Sequence, residues 1–275
     1  MIISIIGCGT MGSGIAQVFA KADHDVYLVG RTKTKANKST TRIAKSLNSL
    51  VKKKKITSKS CQEIIKHIHQ VDTVNPKSQL VIEAIPENLK LKLSLFKQLG
   101  NLPKSTILAT NTSSLSVTKI ASVCKHKQRV IGMHFMNPAP LLPLVELVKA
   151  KQTSTATIKK VKKIITGLNK TPVLVKDSPG FVLNRLLIPM INEGVILVEK
   201  GVAKPKDIDD IMVLGAKQPL GPLAIADLIG LDIVLDIMQH LHKKLDAKYK
   251  PAALLKKMVK QNHLGRKTKR GFYRY

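Results

Sequence analysis

Acids are scarce in this chain of 275 residues: 17 Asp and Glu stand against 47 Lys and Arg, a formal net charge of +30. A field of that sign attracts polyanions, either phosphorylated small molecules or nucleic acid. Tryptophan is absent and aromatic residues make up 3%, which leaves few platforms for stacking unpaired bases. The lysines are spread along the chain instead of gathering in one tail or recognition helix, so nucleic acid is not expected as a partner. No apolar run is long enough to span a bilayer, and a strand-like run opens at Met1. Neither a membrane span nor a leader is therefore expected, and a cytoplasmic protein is. Cys8, Cys61 and Cys124 are widely spaced with no CxxC pair. They indicate neither a disulfide framework nor a metal site, and read as small buried hydrophobes. The length suits one large or two ordinary domains with a proper core.

What is present begins at the first residue. Met1 to Ile6 is an apolar run of strand length that breaks into Gly7-Cys8-Gly9-Thr10-Met11-Gly12, followed by Ile15, Val18 and Phe19 at helical spacing. In a dinucleotide-binding βαβ unit Gly7 makes the tight turn, Gly9 lets backbone approach a pyrophosphate, and Gly12 lets helix pack on strand. The anion would sit on the helix start at Thr10 and Met11, where unpaired N–H groups and the macrodipole favour negative charge.

A second lack follows. Asp25 to Val29 reads as the next strand and ends in Gly30-Arg31, where an NAD-binding unit carries an acid for the ribose 2′-hydroxyl. No carboxylate occurs between Asp25 and Glu63, an interval with eleven Lys and Arg. An arginine at this place suits a 2′-phosphate, which its planar fork can bind with two hydrogen bonds, so the reading favours NADP(H). The alternative, with Arg31 in solvent and NAD(H) bound, stays open.

Residues 33 to 70 read as one or two basic helices, including the run Lys52 to Lys55. Strands are expected over residues 79 to 85, 105 to 110, 129 to 135, 144 to 148 and 173 to 175, with a helix over 88 to 99. Strands alternating with helices predict a doubly wound, mostly parallel sheet with polar residues at the strand ends. From Asp177 the pattern changes to helices alone, beginning with residues 181 to 200 and including 223 to 243, punctuated by Gly and Pro. The fold class is therefore α/β: a Rossmann-type domain over residues 1 to 176, then a smaller all-helical domain over 177 to 275. The helical domain is richer in Leu, Ile and Val than one small core needs, which points to a homodimer surface.

Among the strand-end residues, His134 and Glu146 carry chemistry. A neutral imidazole can take a hydroxyl proton, and a carboxylate on its other nitrogen fixes the tautomer and stabilises the imidazolium. Taken alone, the pair leaves a structural histidine open as the other reading.

The segments GCGTMGSGIA, EAIPENLKLK, NTSSLSVTKIA, GMHFMNPAPLLPLVELV, DSPGFVLNRLLIPMINEG, LGPLAIADLIGLD and RGFYRY occur in this order over essentially the whole chain. Together they resemble the 3-hydroxyacyl-coenzyme A dehydrogenase family, especially its short bacterial 3-hydroxybutyryl-coenzyme A type. The resemblance implies an acyl-coenzyme A substrate, with His134 as catalytic base, Glu146 as its orienting partner, and Ser113 and Asn184 holding the substrate's 3-oxygen and thioester. It implies Gly7, Gly9 and Gly12 at the pyrophosphate, Glu87, Lys92, Ser113, Asn137 and Lys267 at ribose and nicotinamide, and Lys54 at the coenzyme A phosphates. Two positions depart from the family: Gly30 replaces the acid after the second strand, and Lys269 replaces a glycine near the C-terminus. Two alternatives remain beside this reading, a hydroxy-acid or sugar-acid dehydrogenase that does not use coenzyme A, and a polyanion-binding relative without catalysis.

Overall fold

The computed structural model describes residues 1–30 and 33–275, the side chains of 33–38 excepted. The described chain divides into two compact units, Met1–Asp177 and Ser178–Tyr275.

The first unit alternates strand and helix in the order β1 (Ile2–Ile6), α1 (Thr10–Ala20), β2 (Asp25–Val29), α2 (Lys33–Lys52), α3 (Ser58–Lys66), β3 (Ile68–Val71), β4 (Leu80–Glu83), α4 (Leu89–Leu99), β5 (Ile107–Thr110), α5 (Val117–Ala121), β6 (Val130–Phe135), β7 (Leu144–Lys149), α6 (Thr155–Gly167) and β8 (Thr171–Lys176). The strands form one sheet in the order β3-β2-β1-β4-β5-β6-β7-β8. All neighbours run parallel except β6 and β7. The central strands are near-continuous apolar runs because helices cover both faces, so neither face can alternate with solvent. Ile3, Ile5, Leu28, Leu80, Ile82 and Leu108 are fully buried.

From β1 the chain winds outward to β2 and β3, then returns to β4 on the other side of β1. That reversal opens a crevice at the carboxyl ends of β1 and β4, the place where doubly wound sheets bind ligands. Short side-chain caps start the helices that follow β4 and β5. Asn88 Oδ1 accepts from Leu91 N at 3.1 Å, and Ser116 Oγ from Lys119 N at 3.2 Å. Each cap satisfies an otherwise unpaired first-turn N–H and fixes where the preceding loop must lie.

The second unit is α7 (Leu183–Glu199), α8 (Pro205–Leu214), α9 (Pro222–Ile229), α10 (Leu231–Lys244) and α11 (Ala253–Lys260), packed on a core that includes Ile188, Ile191, Val195, Leu223, Val234, Met238 and Leu241. Buried Asp209 accepts from the N–H groups of Leu223 and Ala224, both at 2.8 Å, and from Tyr273 Oη at 2.7 Å. Asp227 accepts from the N–H groups of Phe272 and Tyr273, both at 3.0 Å, which fastens the C-terminal residues to α9.

Three sequence expectations are corrected. Residues 68 to 70 belong to a strand, β3, and not to a helix. This four-residue strand follows α3 with only His67 between them, so neither glycine nor proline marks its start. The helix expected over 223 to 243 is two helices, broken at Gly230 with φ +105°. Cys61 and Cys124 are buried as expected, whereas Cys8 is only half-buried in the glycine turn. Burial pushes the Cys124 thiol up to about 11, which keeps it protonated and unreactive.

Candidate active site

The glycine turn has the form its sequence implies. Gly7 has φ +118°, and a Cβ there would lie 2.4 Å from Ala84 O. A Cβ on Gly12 would lie 1.8 Å from Gly7 O, so helix and turn touch backbone to backbone. At Gly9 a Cβ would meet nothing within 4 Å. Gly9 also caps α1 with no side-chain hydrogen bond, and the first turn, starting with Thr10 and Met11, holds no acid. An open space against uncapped helical N–H groups fits a phosphate anion. Arg42, from α2, donates to Cys8 O and Ser13 Oγ, both at 3.1 Å, and so brings a guanidinium to the turn. Gly30 donates its N–H to Val71 O at 3.0 Å, continuing the β2–β3 ladder. Arg31 lies outside the described residues.

At the carboxyl ends of β4 and β5 a charged cluster holds the next loop. Glu83 closes β4 with its side chain fully buried, accepting from Lys92 Nζ at 2.5 Å, Ile85 N at 2.7 Å and Thr110 Oγ1 at 2.6 Å. Lys92, 1% exposed, also pairs with Glu87 Oε2 at 3.3 Å. Glu87 Oε1 accepts from Thr112 Oγ1 at 2.5 Å, Ser113 N at 2.9 Å and Ser114 N at 3.0 Å. Burial alone would raise the Glu87 pKa, but the Lys92 charge and these hydrogen bonds outweigh it and hold the carboxyl below its ordinary value.

Between β6 and β7 the antiparallel register sets His134 directly opposite Glu146. Directly opposed residues share one face of a sheet, so the two side chains meet. His134 Nδ1 lies 2.8 Å from Glu146 Oε2, with both residues buried. An ionised carboxylate only accepts, so Nδ1 is the donor in this pair and Nε2 the nitrogen that can exchange a proton. Asn111, at the end of β5, accepts from Phe135 N at 2.9 Å and ties the serine loop to the end of β6. A base with a fixed tautomer beside a loop of hydroxyls is equipped to move a proton to or from a substrate oxygen.

Profiles for the 3-hydroxyacyl-CoA dehydrogenase NAD binding domain and C-terminal domain match residues 2–178 and 180–275. The chain belongs to the 3-hydroxyacyl-CoA dehydrogenase family. Within it, the chain is 49% identical to 3-hydroxybutyryl-CoA dehydrogenase of Clostridioides difficile, over 100% of this chain and 99% of the relative. It is 40% identical to the mitochondrial hydroxyacyl-coenzyme A dehydrogenase of Homo sapiens, over 99% of this chain and 90% of the relative. The crystal structure of (S)-3-hydroxybutyryl-CoA dehydrogenase from Ralstonia eutropha superposes with a TM-score of 0.93 at 42% identity, covering 100% of this chain and 98% of that one.

The other nominated residues are placed within their own units. Asn137 is exposed just after β6, and Lys54 stands in the exposed run that follows α2. In the second unit, Asn184 is half-buried in the first turn of α7, and Lys267 forms an ion pair with Asp232. Glu83, Thr110, Asn111 and Arg42 were not singled out from the sequence. Only Glu83 carried a signal, as a carboxylate inside the apolar run Leu80-Val81-Ile82, where a charge must find partners.

Proposed function

We propose that this protein interconverts short (S)-3-hydroxyacyl-CoA and 3-oxoacyl-CoA, with His134 as the acid and base. The observation that carries this reading is the buried 2.8 Å hydrogen bond from His134 Nδ1 to Glu146, which fixes the ring and makes Nε2 the nitrogen that exchanges a proton with the substrate hydroxyl. In the oxidative direction Nε2 takes that proton and Glu146 stabilises the resulting imidazolium; in reduction the imidazolium returns it. Ser113 and Asn184 polarise and position the 3-oxygen, where charge changes most during reaction. A bound nicotinamide dinucleotide supplies the hydride acceptor or donor for C3. Gly7, Gly9, Thr10, Met11 and Gly12 would hold its pyrophosphate, and Glu87, Asn137 and Lys267 its ribose and nicotinamide side, with Lys92 behind Glu87. Lys54 meets the coenzyme A phosphates. The exposed Leu186, Ile211, Leu214 and Leu228 of the helical unit support a homodimer.

Of the two dinucleotides we assign NADP(H). Gly30 offers no carboxylate to a ribose 2′-hydroxyl, and Arg31 follows it with the charge and shape that suit a phosphate. The test is steady-state reduction of acetoacetyl-CoA with NADPH and NADH in turn. Turnover is expected with both, with higher kcat/KM for NADPH, and Arg31→Ala should lower the NADPH value by about tenfold, the worth of one charged hydrogen bond. Activity on free hydroxy acids but not on acetoacetyl-CoA would sink the substrate assignment, and an initial preference for NADH the cofactor assignment.

A further inference from the structure

We propose that Glu83 is a positioning residue for the serine loop, acting on Ser113 through Lys92 and Glu87. A carboxylate at the end of a buried strand is costly unless its charge and lone pairs are met. Glu83 is 0% exposed and is met on every side: by Lys92, by the N–H of Ile85, and by Thr110 on the neighbouring strand. It is therefore anchored to β4 and β5 together.

Lys92 passes that anchorage on. An ammonium has three N–H groups, and this one faces Glu83 Oε1 at 2.5 Å, Ile85 O at 3.3 Å and Glu87 Oε2 at 3.3 Å. With its donors committed inside the chain, Lys92 influences a bound molecule through Glu87. The second oxygen of Glu87 then gathers Thr112 Oγ1, the N–H groups of Ser113 and Ser114, and Ser114 Oγ. One carboxylate oxygen thus holds three successive loop residues, Ser113 and Ser114 by their backbone and Thr112 by its hydroxyl. Glu83 balances the ammonium so that Glu87 can spend its other oxygen on the loop. Without the charge of Glu83, Lys92 is drawn onto Glu87 and the hold on Ser113 loosens.

The inference rests on Ser113 being the group that meets the 3-oxygen, and the experiment separates the two claims. In Glu83→Gln, which keeps the shape and loses the charge, amide hydrogen exchange at Ser113 and Ser114 should quicken by about tenfold, as a local opening would give. On acetoacetyl-CoA, kcat should fall by about tenfold with KM within about threefold. In a Ser113→Ala background the same change should cost less than about twofold, because the path ends at the missing hydroxyl. A general structural defect would give the full loss in both backgrounds, and that result, or unchanged exchange at Ser113, overturns the proposal. Thr110 Oγ1 also accepts from Thr112 N at 3.2 Å, so a change there would disturb the loop directly; Glu83→Asp, which keeps the charge but shortens the reach to Lys92, should move both readouts the same way by less, and decides the matter if Glu83→Gln does not fold. If exchange quickens while Ser113→Ala leaves turnover intact, the role of Ser113 in the reaction fails and the part of Glu83 in the reaction falls with it, while the anchorage of the loop stands.

Discussion

Glu87 is under two opposed influences, burial that penalises its charge and a lysine with donors from three loop residues that reward it, and the second wins. Its carboxyl stays charged to lower pH in the folded than in the unfolded chain. The stability this contributes is whole above the ordinary Glu value of about 4.3, and is lost as pH falls through the lowered native value. Denaturant unfolding between about pH 6 and about pH 3 should therefore show a shallower acid loss of stability in Glu87→Gln than in the parent. Parallel curves would mean that the pairing seen here adds nothing. Glu87 and His134 were legible as site candidates because their segments match a family pattern. The arrangement that serves Glu87 was not, since Glu83 and Thr110 lie far apart in sequence and meet only because β4 and β5 are adjacent.

Elements with a strong period were the readable ones. The apolar run of β1, the glycine turn and the spacing of α1 mark their own boundaries, and the parallel sheet follows from strands alternating with helices. Weak punctuation explains the failures. Ile68–Val71 is too short and too polar to stand out beside α3, and only pairing with β2 makes it a strand. Gly230 sits inside an apolar-periodic stretch that a helix could carry through, yet it takes φ +105° and separates α9 from α10. A Cβ there would also lie 2.9 Å from Asp232 Oδ1 and 3.1 Å from Lys267 Nζ. Gly230→Ala should accordingly destabilise the helical unit by about 2 kcal/mol from backbone strain, read as a lower Tm, and an unchanged Tm would show that the break tolerates an ordinary residue.

Across the whole molecule, the scarcity of acid that first sets this chain apart becomes informative. With 17 carboxylates against 47 cationic side chains, the buried acids have specific tasks: Glu83 anchors the serine loop, Glu146 faces His134, and Asp209 and Asp227 bind the C-terminal residues. Among the described residues no helix is long and apolar enough to cross a membrane, and no cluster of metal-ligating side chains occurs. The positive field of the remainder suits a substrate that carries several phosphates. The account stands most directly on one measurement, the turnover of acetoacetyl-CoA by His134→Ala, with its fold checked by circular dichroism. Loss of a positioned acid and base predicts a fall in kcat of about 10²- to 10⁴-fold, whereas turnover within a few-fold of the parent would contradict the assignment of the proton to His134.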